Sequence, residues 1–139
     1  MSPAAAMIFG VGTDYRFEVH SLDGTVMIVD YKTGNTDLMP KPAEYIQSMT
    51  LSRANICEHV KSFQIPLYFY YLNKQFPKEP INAALYNLKT LTLHKFIDQK
   101  ISTDRSKING AFLNALNFIM EEILNPDVDF IEDLSDTHY

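Results

Sequence analysis

The sequence is short of the residues that mark several common classes of protein. Cys57 is the single cysteine among 139 residues, which excludes an internal disulfide and a CxxC metal site and indicates a reducing, cytoplasmic compartment. We expect its thiol to be buried. No apolar run approaches the ~18 residues of a membrane helix, and residues 1–10 lack the basic start of a secretion signal. These absences predict a globular protein with no membrane partner.

Other site-forming patterns are missing too. The four histidines are scattered, and none pairs with another histidine or a cysteine at the spacing of a zinc site. Gly10 and Gly12 lack the third glycine of a phosphate-binding loop and precede a predicted strand, not a helix. The formal net charge of −5 argues against a generally basic nucleic-acid binder.

The acidic charge is concentrated at one end of the chain. Residues 121–139 hold seven of the 17 acids and no lysine or arginine, so residues 1–120 carry ten acids against twelve bases. The main part of the chain is therefore slightly basic, which permits a nucleic-acid partner without indicating one. We expect one domain over residues 1–126, followed by an acidic tail over residues 127–139.

The hydrophobic pattern predicts a mixture of strands and helices. Alternation predicts strands over 13–20 and 25–32, joined by a turn at 21–24 that contains Asp-Gly, which together form a β-hairpin. Helices are predicted over 42–49, 52–63, 62–76 and 108–124, and a strand region over 81–96 that breaks near Asn87 and Leu88. This order predicts an α/β (α+β) fold, in which helices flank a small central mixed β-sheet that starts with the hairpin.

The most informative stretch is VMIVDYKTGN, residues 26–35, where an apolar strand runs into Asp30, Tyr31 and Lys32. Side chains alternate along a strand, so Asp30 and Lys32 lie on one face and Tyr31 on the other. On spacing alone, the pair is either an exposed ion pair that ends a strand or the centre of an active site.

The hairpin geometry brings a second acid into the argument. A turn centred on Leu22 and Asp23 places Asp14 opposite Asp30 or Tyr31, and places Glu18 opposite residues 26–27. We therefore expect Asp14 to share a metal ion with Asp30, with Glu18 as the alternative acid. Two carboxylates suit Mg²⁺ or Mn²⁺, to which the backbone carbonyl of Tyr31 adds another oxygen ligand. A lysine beside them can orient water and offset charge on a phosphate.

Three segments together resemble a known family. GTDYRFEV, VMIVDYKTG and FQIPLYFYYL, in this order, are similar to the RecB-like branch of the PD-(D/E)XK nucleases. That branch has Gly-x-x-Asp on one strand, Asp-Tyr-Lys-Thr-Gly on the next strand, and Gln-x-x-x-Tyr on a later helix, which correspond here to Gly12 and Asp14, residues 30–34, and Gln64 with Tyr68. The resemblance covers roughly residues 10–96. It implies a restriction-endonuclease-like core and metal-dependent DNA cleavage, typically exonuclease activity attached to helicases in recombination and repair.

The resemblance assigns roles to individual residues. It makes Asp14 and Asp30 metal ligands and Lys32 the catalytic lysine. It places Gln64 and Tyr68, one helical turn apart, beside the site and against the DNA. Thr33, within the Asp-Tyr-Lys-Thr-Gly motif, is a further substrate-binding candidate.

The sequence also departs from the family pattern. The spacing from Gly12 to Asp14 is one residue shorter than usual, so an alignment without a gap places Tyr15 at the position of the acid. The upstream helix and the C-terminal cysteine cluster of many relatives are not found, which leads us to expect a core fragment of a longer protein. A catalytically weak or inactive nuclease-fold module for DNA binding or scaffolding in a repair complex is therefore the alternative function.

Overall fold

The order of strands and helices follows the sequence prediction. The computed structural model describes residues 17–22, 24–34, 38–97 and 104–132. They form an α+β fold with these elements: β1 Phe17–Leu22, β2 Thr25–Lys32, α1 Ala43–Ser48, α2 Arg53–His59, α3 Gln64–Gln75, β3 Ile81–Asn87, β4 Thr92–Lys95 and α4 Arg105–Leu124. The predicted break in the 81–96 region is confirmed, because β3 ends at Asn87.

The sheet is mixed, as predicted. Its strands are hydrogen-bonded in the order β1-β2-β3-β4; β2 and β3 are parallel, and the two outer pairs are antiparallel. A parallel pair needs a long crossover connection, and the segment that contains α1, α2 and α3 provides it. The carboxyl ends of β2 and β3 therefore lie side by side, which brings Lys32 next to Asn87 in the register.

The hairpin register differs from the prediction. Leu22 pairs with Thr25, so residues 23–24 make the connection and the predicted centre at residues 22–23 is wrong. The dipeptide Asp-Gly is favoured as the two central residues of a tight hairpin turn. Gly24 adopts the positive φ, 77°, that such a turn requires. As a result Glu18 pairs with Val29 and not with residues 26–27, and Phe17 stands opposite Asp30.

Alternation along β2 and β3 divides their side chains between two apolar clusters. One face carries Ile28, Ala83 and Leu85, which pack against Ile65, Phe69 and Leu72 of α3. The other face carries Met27, Val29 and Ala84, with Tyr31, Tyr86 and Leu93 partly buried around them. Asp30 and Lys32 follow Ile28 at intervals of two residues, so they lie on the face that α3 covers.

A second core joins the remaining helices. Ile46 of α1, Ile56 of α2, and Ala111, Phe112 and Ala115 of α4 form this cluster. Phe96, just after β4, packs against both this cluster and the one beneath α3. Its ring lies edge-on to Phe69 at 5.6 Å and tilted to Phe112 at 5.4 Å between ring centroids. The helical cluster is thereby connected to the sheet.

Two sequence expectations about the helices need correction. Helix α4 begins at Arg105, three residues before the predicted start, because the Asp104 carboxylate accepts hydrogen bonds from the N–H groups of Ser106 and Lys107 and caps the helix. Cys57 is exposed, not buried, since α2 buries only Ile56 within its bounds. Among the described residues, no helix combines the length and apolar character needed to cross a membrane.

Candidate functional site

Asp30 is the most unusual residue of the described chain. It lies near the end of β2 with 0% of its surface exposed. Within the part of the chain that the structure describes, neither carboxylate oxygen accepts a hydrogen bond. A buried carboxylate without hydrogen-bond donors is costly, by several kcal/mol, unless a cation lies beside it.

Lys32 supplies a positive charge at this point. Its Nζ lies 3.0 Å from Oδ2 of Asp30, close enough for an ion pair although it approaches outside hydrogen-bonding geometry. The lysine side chain is 24% exposed, whereas that of the aspartate is inaccessible. The pair is therefore not an exposed ion pair at the end of a strand, which the spacing alone allowed, and it is not fully enclosed either. It reaches solvent through the lysine alone.

Helix α3 holds the lysine from the other side. Nζ of Lys32 donates to Oε1 of Gln64 at 3.1 Å, and Nε2 of Gln64 donates to the Tyr68 hydroxyl at 2.9 Å. Gln64 and Tyr68 occupy positions i and i+4 at the start of α3, so both side chains lie on the same face of the helix. The predicted convergence of the strand motif and the helix motif is confirmed, since Asp30, Lys32, Gln64 and Tyr68 form one continuous chain of polar contacts.

The other candidate residues are placed differently. Asp14 lies outside the described residues. The hairpin centre that placed it opposite Asp30 is wrong, so its position beside Asp30 stays a prediction from the motif resemblance alone. Thr33 is exposed in the bend that follows β2. The Tyr31 ring is on the opposite face of the sheet, edge-on to Tyr86 at 5.9 Å.

The Tyr31 carbonyl, proposed as an oxygen ligand, points away from β3. The even-numbered residues of β2 direct their backbone N–H and carbonyl groups toward β3. The Val26 N–H donates to the Pro80 carbonyl, and the Lys32 carbonyl accepts a hydrogen bond from the Leu88 N–H. Alternation then directs the carbonyl of Tyr31 toward the β1 side. A ligand at this oxygen would approach from the hairpin edge of the site.

Only one carboxylate of the site falls within the described residues. Across the described ranges, no group of three or more histidine, cysteine, aspartate or glutamate side chains is arranged to hold a metal ion. The register also brings Phe17, not an acid, opposite Asp30. Asp14, the predicted second acidic ligand, lies outside the described residues, so a site with two carboxylates stays a prediction.

Asn87 borders the site, and sequence reasoning missed it as a site residue. It ends β3 in register with Lys32 and is 8% exposed. Its Oδ1 accepts hydrogen bonds from the N–H groups of Lys89 and Thr90, which fixes the turn after β3 beside the lysine. Asparagine at the end of a strand, just before a turn, is a signal for this kind of side-chain cap.

Comparisons with known proteins identify no relative. No family model, no curated protein and no solved structure matches the chain. The case for a function therefore depends on the geometry of Asp30, Lys32, Gln64 and Tyr68 and on the motif resemblance that predicted their association.

Proposed function

We propose that the chain is a metal-dependent deoxyribonuclease of the RecB-like type, which hydrolyses phosphodiester bonds of DNA in recombination or repair. It would act as an exonuclease within a longer or helicase-associated protein. The observation that carries this proposal is the buried Asp30 carboxylate, which has no hydrogen-bond donor among the described residues and whose partner Lys32 is held by Gln64.

The arrangement of strands and helices is compatible with the proposal. A hairpin joined by a long helical crossover to a parallel strand is compatible with a restriction-endonuclease-like core. In this arrangement Asp30 and Lys32 lie at the carboxyl end of β2, beside the end of its parallel neighbour. Ligands of open sheets with parallel strands commonly bind at such an edge.

The chemistry of Asp30 fits a hard divalent cation. A buried carboxylate without donors is the kind of group that Mg²⁺ or Mn²⁺ binds, because both ions prefer oxygen ligands. Asp30 would hold the ion together with Asp14 and the Tyr31 carbonyl. A bound ion supplies positive charge that polarises the phosphate.

Of the described residues, Lys32 is the one best placed to act on the substrate. Among the described residues, its ammonium meets Asp30 and Gln64, which leaves a third N–H direction on a side chain that is 24% exposed. That N–H can orient the attacking water or donate to a phosphate oxygen as negative charge builds up there.

Gln64 and Tyr68 position the lysine. The Gln64 amide accepts from Lys32 and donates to Tyr68, so its two ends are committed to different partners and its orientation is fixed. Because two groups already hold the lysine, its side chain loses less conformational entropy when the substrate binds. This is the usual advantage of a preorganised site.

A second candidate is a catalytically weak or inactive nuclease-fold module that binds DNA or acts as a scaffold. The hairpin register favours it, because Phe17 and not an acid lies opposite Asp30, and a single carboxylate holds a divalent ion weakly. Calorimetric titration with Mn²⁺ separates the two candidates. Binding heat that disappears in Asp30→Asn supports the nuclease, and the absence of Asp30-dependent heat supports the scaffold.

The direct test is cleavage of end-labelled linear DNA in Mn²⁺ by four variants. We expect Asp30→Asn and Lys32→Ala each to lower the rate by about 100-fold or more, as removal of a charged group from such a site commonly does. Asp127→Asn and Lys107→Ala change the same residue types at exposed positions and should cleave like the wild type. Wild-type rates in either site variant, with the fold intact by circular dichroism, would contradict the proposal.

A further inference from the structure

We propose that the turn Leu88–Leu91, with the adjoining end of β4, binds single-stranded DNA beside the site and that Leu91 contacts an unstacked base. This inference rests on the proposed function, because it assigns a substrate form to the same site. The turn connects β3 to β4 and is closed by the pairing of Asn87 with Thr92.

The turn lies directly against the strand that carries the site. The Leu88 N–H donates to the Lys32 carbonyl at 2.9 Å, and Asn87 is the register partner of Lys32. A strand of DNA whose phosphate reaches Lys32 would therefore pass next to this turn.

Leu91 combines two unfavourable properties. Its φ of 54° is in the left-handed region, which costs a residue with a side chain roughly 1 kcal/mol relative to glycine. Its side chain is 71% exposed and so recovers little of that cost by packing. A turn that only reversed the chain would be more stable with glycine or asparagine here, and strain of this kind is often retained where a residue contacts a ligand.

The turn is also held in a fixed shape. Asn87 Oδ1 accepts from two turn N–H groups, and the Thr92 hydroxyl donates to the Thr90 carbonyl at 3.2 Å. Leu88, 44% exposed, and Leu91 are thus presented on a structured turn, which lowers the entropy lost on binding.

The charge of this region suits a nucleic acid. Residues 80–97 include Lys89, His94 and Lys95 but no acid, in a chain whose net charge is −5, and all three side chains are exposed. The lysines can pair with phosphates, and the apolar leucine side chains can pack against the faces of unstacked bases. Because the bases of an intact duplex are stacked, the apolar contact requires an unpaired strand.

The test measures affinity and stability in the same variants. Fluorescence anisotropy with a labelled oligothymidylate and with a blunt duplex is recorded in Ca²⁺ for wild type, Leu91→Gly and Leu124→Ser. The last variant alters an equally exposed leucine at the end of α4. We expect Leu91→Gly to weaken oligothymidylate binding about fivefold or more, to change duplex binding less than twofold, and to raise the unfolding temperature. Leu124→Ser should bind like the wild type.

Three binding results would overturn the inference: unchanged oligothymidylate affinity in Leu91→Gly, equal weakening of duplex binding in that variant, or no single-strand binding by the wild type. A lower unfolding temperature would also contradict it, because Leu91 would then stabilise the fold. Cleavage in Mn²⁺ is scored separately. Cleavage by the wild type with no effect of Leu91→Gly on affinity rejects only this inference. Leu91-dependent binding without any cleavage rejects only the proposed nuclease.

Discussion

At the scale of the residue, the buried acid and its lysine depend on each other. The Asp30 carboxylate is inaccessible to solvent, and among the described residues the Lys32 ammonium is the charged group that pairs with it. The Lys32 side chain remains partly exposed. Removing the cation would leave a buried charge without compensation, which costs more than the pair contributes. Gln64 matters because it determines where the lysine charge is held.

A prediction for Gln64 follows from this arrangement. Gln64→Leu removes the acceptor of the Lys32 hydrogen bond while keeping the helix, so we expect the rate constant of DNA cleavage in Mn²⁺ to fall about 10- to 100-fold, the usual range for lost positioning. Tyr68→Phe, which acts one contact further away, should lower the rate less. Gln75→Leu, at the exposed end of the same helix, is the control. Equal rates in Gln64→Leu and Gln75→Leu would show that Gln64 does not position the lysine.

At the scale of the element, hydrophobic period and breaking residues predicted which segments are strands and helices. The break near Asn87, the hairpin and the four helices were all predicted from local pattern. The register of the hairpin was not predicted correctly, because it depends on whether Leu22 belongs to the turn or to the strand. Assigning Leu22 to the strand moves the partner of Glu18 from residues 26–27 to Val29. Helix α4 began earlier than predicted because its Asp104 cap was missed.

Arg105, in the first turn of α4, gives a prediction at this scale. Its guanidinium donates to the carbonyls of Phe76, Pro77 and Glu79 and to the Asn73 side chain, so it ties α4 to the loop before β3. Lysine cannot reproduce this forked contact, and we expect Arg105→Lys to lower the free energy of unfolding by about 1–3 kcal/mol in urea titration.

The matched control is Arg53→Lys. Arg53 pairs with Glu122 at 2.6 Å, but both side chains are partly exposed, so we expect a change below about 1 kcal/mol. Similar losses in the two variants would show that the contacts of Arg105 with the loop carbonyls do not stabilise the fold.

At the scale of the whole molecule, Phe96 joins the two main clusters. Its ring contacts Phe69 of α3 and Phe112 of α4, so the helical cluster and the cluster between α3 and the sheet share a side chain. The sequence could not predict this, because Phe96 follows a short, largely exposed strand and its period shows no buried face. The association of Lys32 with Gln64 and Tyr68 was predicted by the motif resemblance, which supplied the long-range pairing that periodicity lacks.

Removing a core aromatic ring usually costs about 3–5 kcal/mol, and we expect Phe96→Ala to lower the free energy of unfolding by an amount near the bottom of this range, because Phe96 is only partly buried. Phe118→Ala, which removes a ring packed against the helical cluster alone, should cost less. Urea titrations followed by circular dichroism measure both. A smaller loss for Phe96→Ala than for Phe118→Ala would contradict the shared role of Phe96.

The contact between Lys32 and Gln64 also has a consequence for the order of folding. It joins residues 32 positions apart, whereas the hairpin forms from neighbours in the chain, and local contacts form faster than distant ones. We therefore expect Asp30 to stay hydrated while the hairpin forms and to lose its water later, when β3 and α3 pack against this part of β2. In Asp30→Asn that late step no longer desolvates a charge, so we expect the refolding rate to rise, as stopped-flow measurements can show.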